Sequence, residues 1–180
     1  MTPKNGLWLK VVHKYDFEIM QDMAVHYSKP RGFVGRSICY AIMFGEKRYG
    51  HIVGGSATKF LPGRVVAGSL NNGVNNIFFH ITPNGKYPVR NFMQKVLRLY
   101  RKTVERDWFE KYRNIVLWHE SLVEPPRIGE CYIRDGWEMV GKTKGFTCKR
   151  VSGREKNGMS GKRVWDTKNL RPKLVFIKFI

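Results

Sequence analysis

Acidic residues are what this chain lacks. It sets 14 Asp and Glu against 33 Lys and Arg, a formal net charge of +19 over 180 residues. A domain so basic repels itself and attracts polyanions, so nucleic acid is the expected partner. Cysteine is also scarce. Cys39, Cys131 and Cys148 lie far apart, are odd in number and form no CxxC pair, which argues against a disulfide framework and a structural zinc site alike. Reduced thiols of a cytoplasmic protein are the plain reading. Long apolar runs are missing too. Nothing approaches the ~20 residues needed to cross a bilayer, and the first sixteen residues lack the apolar stretch of a secretion signal. No membrane partner is expected.

What is present suits one folded domain over residues 1–180. Hydrophobic residues make up 42% and aromatics 13%, enough for a real core. Short β-rich runs predict strands at Leu7–Val12, Ser37–Phe44, His51–Ala57, Asn76–Ile81, Ile115–Trp118, Trp137–Cys148 and Leu174–Phe179. Asp16 stands where an N-cap belongs, before a helix carrying Phe17, Ile19, Met20, Met23 and Ala24. The clearest helix carries Val89, Phe92, Met93, Val96, Leu97, Tyr100, Val104 and Trp108 on one stripe, with Pro88 at its first position. A short helix over Gly129–Asp135 ends at Gly136. Residues 149–173 carry nine Lys or Arg with little to bury, and read as a flexible basic loop. The class is α/β (α+β): a mixed, mostly antiparallel sheet flanked by helices.

That order of elements resembles the GCN5-related N-acetyltransferase (GNAT) superfamily. Gly129–Phe146 (GECYIRDGWEMVGKTKGF) is similar to the GNAT carboxy-terminal signature of a tyrosine-bearing helix and a glycine turn. LWHESLVEPPRIG, LNNGVNNIFFHI and HYSKPRGF more specifically resemble phage Mom proteins, GNAT-like enzymes that modify adenine in phage DNA against host restriction. One departure stands out. The glycine-rich loop that binds the coenzyme A pyrophosphate in GNAT proteins is absent from Thr82–Gln94, which holds a single glycine. A helix start can still offer free amides and a positive end to a phosphate, so acetyl-CoA is assigned to Lys86, Val89, Arg90 and Asn91.

The resemblance implies that Tyr132 protonates the departing thiolate. It also implies activity for an His-Tyr pair and an acidic residue, here His26, Tyr27 and Glu120, with Glu124 as the neighbouring alternative. His, phenolate and carboxylate can ligate iron, so the same three residues are the candidate metal ligands. On their own terms these residues also suit a core tyrosine, a capped helix end and a surface carboxylate. Asn72 and Asn75 can read an adenine edge, or form turns. Arg31 and Arg36 around Phe33 suit backbone contact and base stacking, and Lys142, Lys144, Lys149 and Arg150 suit phosphates.

Together these imply a DNA-modifying transferase in host cytoplasm. It adds an acyl-derived group of methylcarbamoyl or acetamido type to adenine N6 in double-stranded DNA, turned out of the stack. Two alternatives stay open. One is an ordinary acetyl-CoA-dependent N-acetyltransferase for another substrate. The other is a non-catalytic GNAT-like nucleic-acid-binding module, which predicts that Tyr132 and Glu120 lie apart or buried, whereas either enzyme reading needs them lining one cleft. The oligomeric state is open, a homodimer included.

Overall fold

The computed structural model describes residues 6–28, 30, 32–65, 68–82, 87–150, 163–166, 168 and 170–180, with backbone alone at 147–150 and 163–166. The elements are β1 (Leu7–Val12), α1 (Phe17–Val25), β2 (Ser37–Phe44), β3 (Lys47–Ser56), a 3-10 turn (Leu70–Asn72), β4 (Gly73–Ile81), α2 (Phe92–Tyr112), β5 (Trp118–Val123), α3 (Glu130–Arg134), β6 (Glu138–Lys142), β7 (Thr147–Arg150), β8 (Arg163–Asp166) and β9 (Leu174–Phe179). Seven strands form one sheet in the order β1-β2-β3-β4-β5-β9-β6, and β7 pairs with β8 separately. Among the described strands β4 and β5 are the one parallel pair. The helix α2 between them is the crossover that parallel pairing requires.

Alternation along β2 and β3 puts apolar side chains on both faces of the sheet. Ile38, Tyr40, Ile42 and Ile52 meet the Phe92, Val96, Leu97, Tyr100, Val104 and Trp108 stripe of α2. Cys39 and Val53 meet Ile19 and Met23 of α1, with Phe33 and Phe78. So α1 covers one face, and α2 with α3 covers the other. Each fully buried large side chain contributes roughly 1.5–3 kcal/mol, so the six-residue α2 stripe anchors its face.

Four expectations need correction. The long helix starts at Phe92 rather than Pro88, because its cap Asn91 is left-handed at φ 56. β5 starts at Trp118, not Ile115, since pairing with β4 begins at Gly73↔Trp118 and leaves Ile115 and Leu117 exposed. The strand expected over Trp137–Cys148 is two strands, broken at Gly145 (φ 78) where the chain leaves the main sheet. The basic stretch is not all loop. Its start and its Arg163–Asp166 segment form a hairpin registered Cys148↔Trp165, with residues 151–162 between them outside the described set. β-branched Val164 and aromatic Trp165 suit a strand, a preference the surrounding charge obscures.

Candidate active site

The two parallel strands pair only from Gly73↔Trp118 to Asn76↔Ser121. Past Asn76 a register shift lets β4 follow β3 as far as Gly50↔Ile81, while β5 follows β9 as far as Val123↔Leu174. The strands part, and a cavity of about 760 Å³ opens in the gap. Its walls come from β4, β5, α3, the residues just after α1, and Met93 in the first turn of α2.

Tyr132 lies in this cavity. Its hydroxyl donates to Asn76 Oδ1 at 2.6 Å, and its ring stacks on Phe176 at 5.6 Å and meets Trp137 edge-on at 5.0 Å. Burial pushes the phenol well above its ordinary range, so it stays protonated and can serve only as a proton donor near neutral pH. Gly129 makes this seat possible. It caps α3 at φ 75, and a Cβ there would come within 2.5 Å of the Phe176 ring. Cys131 also lines the cavity, where burial pushes its thiol up to about 11 and keeps it a poor nucleophile.

The start of α2 fits a phosphate group in part. The amides of Phe92, Met93 and Gln94 precede the first helical bond, which runs from Lys95 N–H to the Asn91 carbonyl. Asn91 supplies no side-chain cap, and the first turn holds no acidic residue. Free amides, a positive helix end and a cavity-lining Met93 suit a CoA pyrophosphate. The expected set changes with the helix start. Val89, partly buried against the core, and exposed Arg90 precede it, and Asn91 is its cap. Lys86 lies outside the described residues.

The proposed His26, Tyr27 and Glu120 trio is not brought together. His26 and Tyr27 line the cavity with rings 4.3 Å apart, and the Arg127 guanidinium sits 3.8 Å over Tyr27. Ser28 N–H donates to His26 Nδ1 at 3.3 Å, and the Ser28 hydroxyl lies 2.9 Å from the same nitrogen. Burial, with His80 nearby, pulls the His26 imidazole down to about 4. Burial raises the Tyr27 phenol. Glu120 sits on the other face of β5 from His119, fully buried. Its carboxylate accepts from Thr58 N–H at 2.5 Å and Arg64 at 2.7 Å, which makes it a structural ion pair. With Glu120 engaged there, the three residues give no iron site. Glu124 meets Lys173 and Arg171 at 3.7 and 3.9 Å instead.

Several nucleic-acid candidates are also committed elsewhere. Phe33 is buried against Phe78 and is unavailable for base stacking. Arg36 donates to Asn114 at 2.6 Å and Asn71 at 2.5 Å, and its guanidinium lies over Trp108 and Tyr112. Asn72 is the turn former: its Oδ1 accepts from Ser69 and its amide donates to the Ile115 carbonyl. Asn75 is buried in the cavity wall, donating to Thr58 Oγ1 at 2.9 Å and leaving its own Oδ1 unpaired. Lys142 and Lys144 are exposed. Lys149 and Arg150 lie on β7 with backbone described only, and Arg31 is outside the described residues.

Sequence reasoning missed a buried ionic group beside the cavity. His51 and His80 are cross-strand partners on β3 and β4. Asp22 of α1 sits over the pair, one oxygen 2.6 Å from His51 Nδ1 and the other 4.0 Å from His80 Nε2. Arg48 braces Asp22 at 3.0 Å and Glu18 at 3.2 Å. The one sequence signal was Asp22 itself, an acid between Ile19 and Met23 on the apolar face of α1.

No family model matches the chain, and no curated protein matches its sequence. Solved structures match its fold. A Bacillus subtilis acetyltransferase in complex with CoA aligns over 97% of this chain and 99% of its own, with TM-score 0.61 and 10% identity. The aminoglycoside acetyltransferase AAC(6')-Ib, in complex with paromomycin and acetyl-CoA, aligns over 97% and 94%, with TM-score 0.58 and 10% identity. Spermidine N-acetyltransferase from Vibrio cholerae aligns over 96% and 93%, with TM-score 0.55 and 8% identity. The chain spans 65% of the Salmonella typhimurium acetyltransferase that modifies the N-terminal serine of ribosomal protein L7/L12. The mixed, mostly antiparallel sheet flanked by helices is GNAT-like, matching the fold of these acetyltransferases. No helix among the described residues is long and apolar enough to cross a membrane.

Proposed function

We propose that this protein is an acyl-CoA-dependent N-acyltransferase, the ordinary acetyltransferase reading. The observation that carries it is the parting of β4 and β5, with the Tyr132 hydroxyl held protonated inside the gap. When bound, the cofactor supplies an activated acyl thioester. The Phe92, Met93 and Gln94 amides would hold its pyrophosphate. Tyr132 presents a proton where a thiolate would leave. In the structure that proton is donated to Asn76 Oδ1 at 2.6 Å, so it would have to turn from Asn76 to the sulfur as the thiolate leaves.

A second reading takes the acceptor to be an amine of double-stranded DNA, adenine N6 included. The net charge of +19 favours it. Exposed Lys142 and Lys144 at the end of β6 would then meet phosphates.

Saturating acetyl-CoA should raise the melting temperature. At 100 times Kd the gain is about 2.7 kcal/mol. In the Tyr132→Phe variant that shift should persist while thiol release falls by about 10²–10⁴-fold. No shift in the parent protein would overturn the acyltransferase reading. A new adenosine mass in nucleosides from co-expressed DNA supports the second reading, and unmodified DNA beside active thiol release refutes it.

A further inference from the structure

Three imidazoles stand on the α1 side of the cavity, and their positions are not equivalent. His51 is fully buried and lies off the cavity, with Nδ1 on Asp22 and Nε2 unpaired. His26 lines the cavity, but its Nδ1 is occupied by Ser28. His80 lines the cavity too, keeps its side chain 12% exposed, and has no hydrogen bond to its buried Nε2. That nitrogen faces the Asp22 carboxylate at 4.0 Å. Asp22 in turn is fixed from its other side by His51 at 2.6 Å and Arg48 at 3.0 Å.

From this arrangement we infer that His80 is the general base of the cleft and that Asp22 is its positioning carboxylate. The inference rests on the acyltransferase reading above. Nε2 lies on the Asp22 side, beyond hydrogen-bond distance at 4.0 Å, and we place the ring proton on it, which leaves Nδ1 as the basic nitrogen. A protonated amine acceptor first gives up a proton to Nδ1, and the freed nitrogen lone pair then forms the bond to the acyl carbon. The carbon–sulfur bond breaks with its electron pair on sulfur, and the thiolate takes the Tyr132 proton. The phenolate takes the proton that the acylated nitrogen sheds as the amide forms, and the imidazolium releases its proton to solvent, so one proton leaves per turnover.

The surroundings suit the role. Burial lowers the His80 pKa, with His51, Arg48 and Arg127 acting in the same direction and Asp22 against them, so the ring is neutral and ready to accept near pH 7. On Asp22, burial opposes ionisation, but the His51 hydrogen bond and the His51, Arg48 and His80 charges outweigh it and lower its pKa. A carboxylate that stays ionised stabilises the imidazolium when it forms. The groups facing His80 are Asp22 from α1, His51 and Arg48 from β3, His26 after α1, and Arg127 before α3.

The test uses two nucleophiles with acetyl-CoA and follows thiol release by the whole protein. Propylamine is protonated at neutral pH and needs a base; hydroxylamine is largely unprotonated. His80→Gln should lower kcat/KM for propylamine by about 10²–10⁴-fold and for hydroxylamine by far less. Asp22→Asn should move the acid limb of the propylamine pH profile to lower pH, because removing the negative charge weakens the base. The ring proton of His80, followed by NMR, should titrate at lower pH in Asp22→Asn than in the parent. Equal losses with both nucleophiles, or an unmoved acid limb and ring titration, overturn the assignment and leave the acyltransferase reading intact. A parent that binds no acetyl-CoA and releases no thiol overturns both.

Discussion

Replacing Arg64 by Met tests whether Glu120 is structural. The Glu120 carboxylate is fully buried, and Arg64 is 7% exposed. Arg64 donates 2.7 Å to that carboxylate, and also to the Thr58 and Lys59 carbonyls at 2.7 and 3.1 Å. Met fills similar space but leaves a buried charge with only Thr58 N–H and a long Trp118 contact at 3.5 Å. Breaking such a pair costs about 3–5 kcal/mol. At roughly 2–4 °C per kcal/mol for a chain this long, Tm should fall by about 6–20 °C. Adding Glu120→Gln removes the stranded charge and keeps an acceptor for Thr58 N–H, so the double variant should recover about 2 kcal/mol or more. Thermal and urea unfolding of the parent, both single variants and the double variant close the cycle. A loss below about 1 kcal/mol for Arg64→Met, or strict additivity in the double variant, would falsify the structural reading of Glu120.

Gly129→Ala forces a Cβ against Phe176 in a left-handed conformation, so it should destabilise by about 2–4 kcal/mol and weaken the acetyl-CoA shift as α3 moves. An unchanged Tm would mean α3 is not seated as described. His26 binds a proton less readily when folded, at about 4, than when unfolded, near 6.5. The folded state therefore holds fewer protons within that window, and stability falls as pH drops through it, by up to about 3 kcal/mol. His26→Gln should flatten the denaturation midpoint between pH 7 and 4; parallel profiles would refute this. Binding to a DNA duplex should weaken by at least a hundredfold between 50 and 200 mM salt, if several phosphates are neutralised. A flat salt profile in a filter or anisotropy titration would remove electrostatic recognition.

Local patterns determined much of this protein. The period of the α2 stripe from Phe92 to Trp108, the β-rich runs at Leu7–Val12 and Leu174–Phe179, and the Asp16 cap each depend on neighbours within a few residues, and each stands in the structure as read. Gly129 and Tyr132 were legible as one short helix for the same reason. Charge pointed to a partner class without pointing to a surface. What chain order could not supply is register. His51 and His80 are 29 residues apart, and only the β3–β4 pairing makes them neighbours under Asp22. Glu120 read as an active acid or a surface carboxylate because strand alternation alone does not say which face a cleft opens on. Its fate was decided by Arg64 and Thr58, brought over β5 from a connection more than fifty residues earlier. Phe33 and Arg36 read as ligand contacts in a glycine-rich loop, yet Phe78 and the Trp108–Tyr112 surface claimed them. Sequence sets what each segment prefers locally. Tertiary packing decides which polar groups are used up by their neighbours and which, like His80, are left facing a cavity.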